Sequence, residues 1–166
     1  MKQDILTDNL QLLEAVKSMP VLRFFEKKDR HKLLSFSKIR QYKAGEQIIA
    51  QGSFDNWVYF LLSGDVKVVK DNEPIEELRR TGDIFGEMCI IDGQARSASV
   101  YAVGDVACLA TDVSFVDNLF GEDKLAFSAV FYQILAETLA RRLRETSAEL
   151  VRAKEEIAAL KKQKNN

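Results

Sequence analysis

Turn signals cut residues 38–111 into short pieces. Ala44-Gly45, Gly52-Ser53, Gly64-Asp65, Gly82-Asp83 and Gly104-Asp105 follow one another at close spacing. Between them lie Gln47–Ala50, Val58–Leu62, Val66–Val69, Ile75–Leu78, Ser97–Ala102 and Val106–Ala110, which are apolar or alternate with a period of two. Several short strands at such spacing fold into a roll or barrel. Glycine followed by aspartate suits a type II′ hairpin turn, whose first residue needs a positive φ. Pro74 stands just before a candidate strand, where a missing N–H does no harm.

Helical patterns flank this region. From Ile5 to Phe36, Leu6, Leu10, Leu13 and Val16 recur at three- and four-residue steps as a one-sided stripe. Pro20 breaks it, and Phe25, Leu33, Leu34 and Phe36 form the apolar side of a second helical stretch. Helix returns after Asp112. Gly121 separates a short helix from a long one, which runs from Glu122 to about Lys162 without glycine or proline. The expected architecture is α+β. It has an N-terminal helical segment (1–37), a jelly-roll-like antiparallel β-roll (38–121) with a short helix inside 82–100, and a long C-terminal helix (122–166).

Charge and composition narrow the function. The chain has 24 basic and 25 acidic residues, a formal net charge of -1, and so lacks the basic excess of a dedicated nucleic-acid binder. Ile48–Ala50 and Trp57–Leu62 are too short to span a bilayer, and Asp4 and Asp8 break any secretory signal. Cytoplasm is the expectation. Cys89 and Cys108 read as two buried thiols, since no CxxC spacing accompanies them. His31 is the single histidine. With no nucleophile–histidine pair, metal-ligand cluster or P-loop, neither catalysis nor a metal or cofactor is expected.

One interruption of the strand pattern carries chemistry. Gly82–Val100 reads as a strand end leading into Phe85-Gly86-Glu87, a short apolar helix from Met88, Gly93, and then Arg96-Ser97 opening a strand. Backbone N–H groups at the start of a helix favour an anion. Gly86 has no Cβ and lets a ligand approach the backbone. Arg96 offers a planar fork that suits phosphate. Glu87 repels a phosphate, but makes sense as the acceptor for a sugar hydroxyl beside one. The alternative is a structural Arg96–Glu87 ion pair, a costly burial without an anion. Strict alternation places Arg96 and Ser97 on opposite faces. If both meet the phosphate, the strand must start irregularly or Ser97 must act through its backbone.

The F-G-E…R-S-A-S-V run resembles the phosphate-binding cassette of the cyclic-nucleotide-binding domains, and Gly45–Val68 resembles that family's first strands. The resemblance covers roughly residues 24–153. It implies a ligand site at Phe85, Gly86, Glu87, Met88, Arg96 and Ser97, with Glu87 on the ribose 2′-hydroxyl and Arg96 on the cyclic phosphate. Gly93–Ala98 and Ala140–Ser147 are most similar to the bacterial catabolite-activator branch of the family. There the matching Thr and Ser touch adenine, which implies Thr146 from the same subunit and Ser147 of the partner subunit. cAMP is the implied ligand and cGMP the alternative. Family members that prefer cGMP tend to carry Thr directly after the cassette Arg, where this chain has Ser97. A DNA-reading domain should follow the long helix in that branch, but only residues 161–166 follow Leu160. Met1 and a complete-looking first helix favour a stand-alone sensor with an unknown downstream protein. A ligand-free interaction module and the sensor fragment of a larger regulator are the alternatives.

The long helix also carries heptads. With Leu143, Leu150 and Ile157 at a, the d positions hold Leu139, Thr146, Ala153 and Leu160, a coiled-coil seam. Glu149 and Glu156 at g then face Lys154 and Lys161 at e of a parallel copy, whereas an antiparallel pair brings like charges together. A parallel homodimer is expected. Thr146 is the polar member of the seam, either setting register or meeting a ligand edge.

Overall fold

The computed structural model describes residues 10–164, so the Ile5–Leu6 end of the expected N-terminal stripe lies outside the described residues. The chain divides into two compact units, one ending at Val130 and one beginning at Phe131.

The first unit opens with α1 (Leu10–Ser18), a 3₁₀ turn (Pro20–Phe24) and α2 (Lys27–Ser35). Pro20 starts the 3₁₀ turn, where its fixed φ fits and its missing N–H is not needed. Eight strands follow: β1 (Ser37–Tyr42), β2 (Gln47–Ile49), β3 (Trp57–Ser63), β4 (Val66–Lys70), β5 (Glu73–Leu78), β6 (Ile84–Phe85), β7 (Ser99–Ala102) and β8 (Val106–Asp112), with α3 (Met88–Asp92) between β6 and β7. A 3₁₀ turn over Val113–Asn118 is capped by the Asp112 carboxylate, which accepts from the Ser114 N–H at 3.0 Å. α4 (Gly121–Lys164) begins in this unit.

The strands form two antiparallel four-stranded sheets, ordered β1-β8-β3-β6 and β2-β7-β4-β5. This is the expected jelly-roll. The Gly-Asp pairs, however, are not hairpin turns. Gly64-Asp65, Gly82-Asp83 and Gly104-Asp105 join β3 to β4, β5 to β6 and β7 to β8, and each step passes from one sheet to the other. Gly64 is needed for close approach, since a Cβ there would run into the Asp105 carbonyl oxygen. Gly104 does not adopt a positive φ. Among the described residues, β4–β5 is the one hydrogen-bonded pair of consecutive strands. It turns at Asp71-Asn72, whose φ values of 51° and 70° supply the left-handed pair of a type I′ turn. Pro74 lies inside β5, an edge strand, the position a sheet tolerates for proline.

The core between the sheets holds Tyr59, Leu61, Val66, Leu78, Phe85, Val100, Val106 and Cys108, with Trp57 packed against it. In β3, Val58, Phe60 and Leu62 are buried as well. Burial of both faces is why this strand reads as an unbroken apolar run. Burial pushes the Cys108 thiol up to about 12. Cys89 corrects the expectation of two buried thiols: both are free, but Cys89 is only partly buried.

At the base of α4, Phe127 stacks on Phe25 and meets Phe115 edge-on, each with ring centroids 5.1 Å apart. The Asp123 carboxylate accepts from Lys32 at 2.8 Å and Lys28 at 3.0 Å, which holds its carboxyl down to about 2.

The second unit is the remainder of α4. Arg141 pairs with Glu145 one turn on, at 3.1 Å. From Leu143 to Gln163 every residue is exposed, including Leu143, Leu150, Ile157 and Leu160. Among the described residues, no helix is long and apolar enough to cross a membrane.

Candidate functional site

Arg96 organises the cassette. Its backbone is fixed first: Arg96 N–H donates to the Ser53 carbonyl and Gly52 N–H donates to the Arg96 carbonyl, both at 2.9 Å. The side chain then turns inward and is buried, 3% exposed as a residue. One terminal nitrogen donates to the Gly86 carbonyl, the other to the Asp55 carboxylate and, at 2.6 Å, to the Trp57 carbonyl. Nε is buried and, among the described residues, has no hydrogen-bond partner. An unmet buried donor on a cation is costly, so the arrangement is one acceptor short.

Gly86 supplies the space for this arginine. Its φ is +76°, and a Cβ there would stand 2.6 Å from Arg96 Nη1 and 2.9 Å from Ile49 Cδ1. Both the backbone conformation and the close approach require glycine. Gly86→Ala should therefore lower stability by about 1–3 kcal/mol through overpacking, seen as a fall of several degrees in Tm. An unchanged Tm would show that the arginine side chain can give way.

The neighbouring residues follow from the same turn. Phe85 is buried and stacks on Tyr59 with centroids 5.1 Å apart. Burial raises the Tyr59 phenol to about 12. Glu87, 1% exposed, is the residue immediately before α3. Gly93 closes that helix at φ +67°. Met88 is exposed, and the Ser97 hydroxyl donates to its Sδ at 3.6 Å.

The strand start differs from the sequence reading. β7 begins at Ser99, so Arg96 and Ser97 belong to an irregular segment before it. The pleat alternation that separated their side chains therefore does not apply. The structure brings Phe85, Gly86, Glu87, Met88, Arg96 and Ser97 into one neighbourhood of the first unit. Thr146 and Ser147 lie on α4 in the second unit, both exposed.

Asp55 is the residue that sequence reasoning missed. It sits in the loop before β3, and its Oδ1 also accepts from the Trp57 N–H at 2.9 Å. The only linear signal is a largely polar Ser53-Phe54-Asp55-Asn56 stretch, interrupted by Phe54, ahead of an apolar strand. The expected ion-pair alternative for Arg96 named Glu87; the structure records Asp55 as a partner of Arg96.

Comparison with known proteins bears on this geometry. A family model described as a cyclic nucleotide-binding domain matches residues 39–123, half of the chain. The "Cyclic AMP receptor protein" of Thermus thermophilus is 34% identical over 142 residues, 81% of this chain and 62% of that protein. The "cAMP-dependent protein kinase type II regulatory subunit" of Drosophila melanogaster is 35% identical over 112 residues, 65% of this chain and 30% of that protein. The chain thus spans less than two thirds of either relative. The crystal structure of a cyclic nucleotide-binding domain from Methylobacillus flagellatus superposes with a TM-score of 0.64 at 26% identity, over 81% of this chain and 78% of that one.

Proposed function

Since this chain belongs to the cyclic nucleotide-binding domain family, we propose that its cassette binds cAMP and that α4 reports the binding as part of a homodimer. The observation that carries the first half is Arg96, buried in the cassette with its Nε lacking an acceptor. A cyclic phosphate supplies that acceptor as a charge-assisted hydrogen bond. Glu87, beside it, accepts from the ribose 2′-hydroxyl, and Gly86 leaves room for the Arg96 side chain that holds the phosphate. Phe85, Met88 and Ser97 complete the lining. The roles of Thr146 and Ser147 toward adenine rest on the resemblance of the Ala140–Ser147 run alone. The homodimer is supported by the exposed heptad positions of α4 and by the charges beside them. The role is that of a regulator rather than a catalyst, and its downstream partner is a protein still to be identified.

A second reading has one observation in its favour. Asp55 and two backbone carbonyls already occupy the terminal nitrogens of Arg96, as they would in a ligand-free interaction module. Calorimetric titration with cAMP, cGMP and other cyclic nucleotides separates the two. The expected result is cAMP binding at micromolar affinity or better, about -8 kcal/mol, with cGMP weaker. Equal affinities remove the cAMP preference, and no binding of any cyclic nucleotide leaves the interaction module. The chain's single tryptophan, Trp57, whose carbonyl Arg96 holds, offers an independent fluorescence signal for the same titration.

A further inference from the structure

We propose that Asp55 sets the charge of the ligand the cassette accepts, admitting a singly charged phosphodiester and rejecting a doubly charged phosphomonoester. The proposal rests on the reading that the cassette binds a cyclic nucleotide. It concerns the charge selectivity of that site.

Arg96 brings one positive charge into a site where its side chain is 2% exposed. One carboxylate, that of Asp55, is already bound to its Nη2. The remaining acceptors on its terminal nitrogens are the uncharged carbonyls of Gly86 and Trp57. Nε is the one nitrogen of the guanidinium without an acceptor among the described residues. A phosphate that docks there shares a guanidinium with Asp55, a few ångströms from its carboxylate. A cyclic phosphodiester adds one negative charge. A phosphomonoester at neutral pH carries about -1.5 to -2, since its second pKa is about 6. The extra charge meets the Asp55 carboxylate on the same guanidinium, beside the buried carboxylate of Glu87 that faces every ligand alike. In a partly buried site that repulsion is larger than in water. Selection by a repulsive element is a common route to specificity.

Asp55 does not stand there merely to place Arg96. The Arg96 backbone is held by Ser53 and Gly52, and its side chain by two carbonyls, independently of Asp55. The Asp55 side chain is 35% exposed, so replacing it leaves no large buried gap. Asparagine keeps the Oδ1 acceptor for the Trp57 N–H and removes the charge, at the cost of an amide NH2 in place of the second oxygen.

The test compares the parent chain and Asp55→Asn by calorimetry with three ligands: cAMP, AMP, and the 5′-methylphosphate of adenosine. The last is an open-chain phosphodiester and differs from AMP in charge far more than in shape. The parent should bind the methyl ester about tenfold more tightly than AMP, which is about 1.4 kcal/mol. In Asp55→Asn the gap should shrink to about threefold or less, mostly through tighter AMP binding. A gap that is the same in both proteins overturns the proposal, as does a proportional weakening of all three ligands, the mark of a purely structural residue. Equal binding of AMP and its methyl ester by the parent overturns it without any variant. If the parent does not bind cAMP, the reading of the cassette itself fails, a result distinct from these.

Discussion

Replacing Arg96 by alanine is expected to lower cAMP affinity by at least about a hundredfold, about 2.7 kcal/mol. Truncating one side of a buried, hydrogen-bonded charge pair costs about 2–5 kcal/mol, and Arg96 is the buried cation of the cassette. The substitution has a second effect. The carbonyls of Gly86 and Trp57 and the carboxylate of Asp55 lose a donor together, so stability should fall as well. Thermal unfolding separates the two effects when read beside Arg96→Lys. Lysine keeps the charge but cannot span three acceptors with a planar fork, so its affinity should fall between those of the parent and alanine. A folded Arg96→Ala chain that binds cAMP like the parent removes the cassette assignment.

The second large effect concerns α4. Leu150→Glu combined with Ile157→Glu should convert a dimer into a monomer in sedimentation experiments. Both side chains are exposed in the single chain, and glutamate is a good helix former, so the helix itself should survive. What changes is the seam. Burial of each Leu or Ile contributes about 1.5–3 kcal/mol, and two layers of a homodimer lose four such side chains. The loss is about 6 kcal/mol or more, over about ten thousandfold in the dissociation constant. The same pair of layers would then hold glutamates beside Glu149 and Glu156, adding like-charge repulsion. A parent chain that sediments as a monomer at high micromolar concentration ends the dimer proposal outright.

The cassette was legible because its parts lie close in the sequence. Gly86, Glu87 and Arg96 fall within eleven positions, residues 86–96, and the whole F-G-E…R-S-A-S-V run resembles the family's cassette, whereas a lone Gly-Glu or Arg-Ser would carry no signal. Asp55 was not legible because it lies 41 positions from Arg96, and the contact exists only once the roll has closed. The strands were legible where both faces are buried, as in β3 and β8, but β1 was not among the expected strands, because Lys38, Arg40 and Gln41 leave it without an apolar run. β6 is two residues long and was legible only as a strand end before Gly86-Glu87. The Gly-Asp turns show a different limit. A local sequence encodes a change of chain direction, but whether the next strand joins the same sheet or the opposite one depends on partners far away. The true hairpin at Asp71-Asn72 was passed over because its left-handed residues are not glycines.

The strand order also bears on how the protein reaches this state. Only β4 and β5 pair as sequence neighbours among the described residues. Other ladders join distant segments, such as Ser37 with Thr111 in β1 and β8. Each such ladder must close a long loop before its contacts compensate for the lost chain entropy, and topologies of this kind fold slowly. The β4–β5 hairpin closes over the short Asp71-Asn72 turn, whereas Asp55, Gly86 and Arg96 lie on three separate segments that meet only as the sheets come together. Assembly of the arginine cluster and closure of the roll should therefore be a single kinetic event, so that a nucleotide added during refolding would have nothing to grip until the slow phase is over.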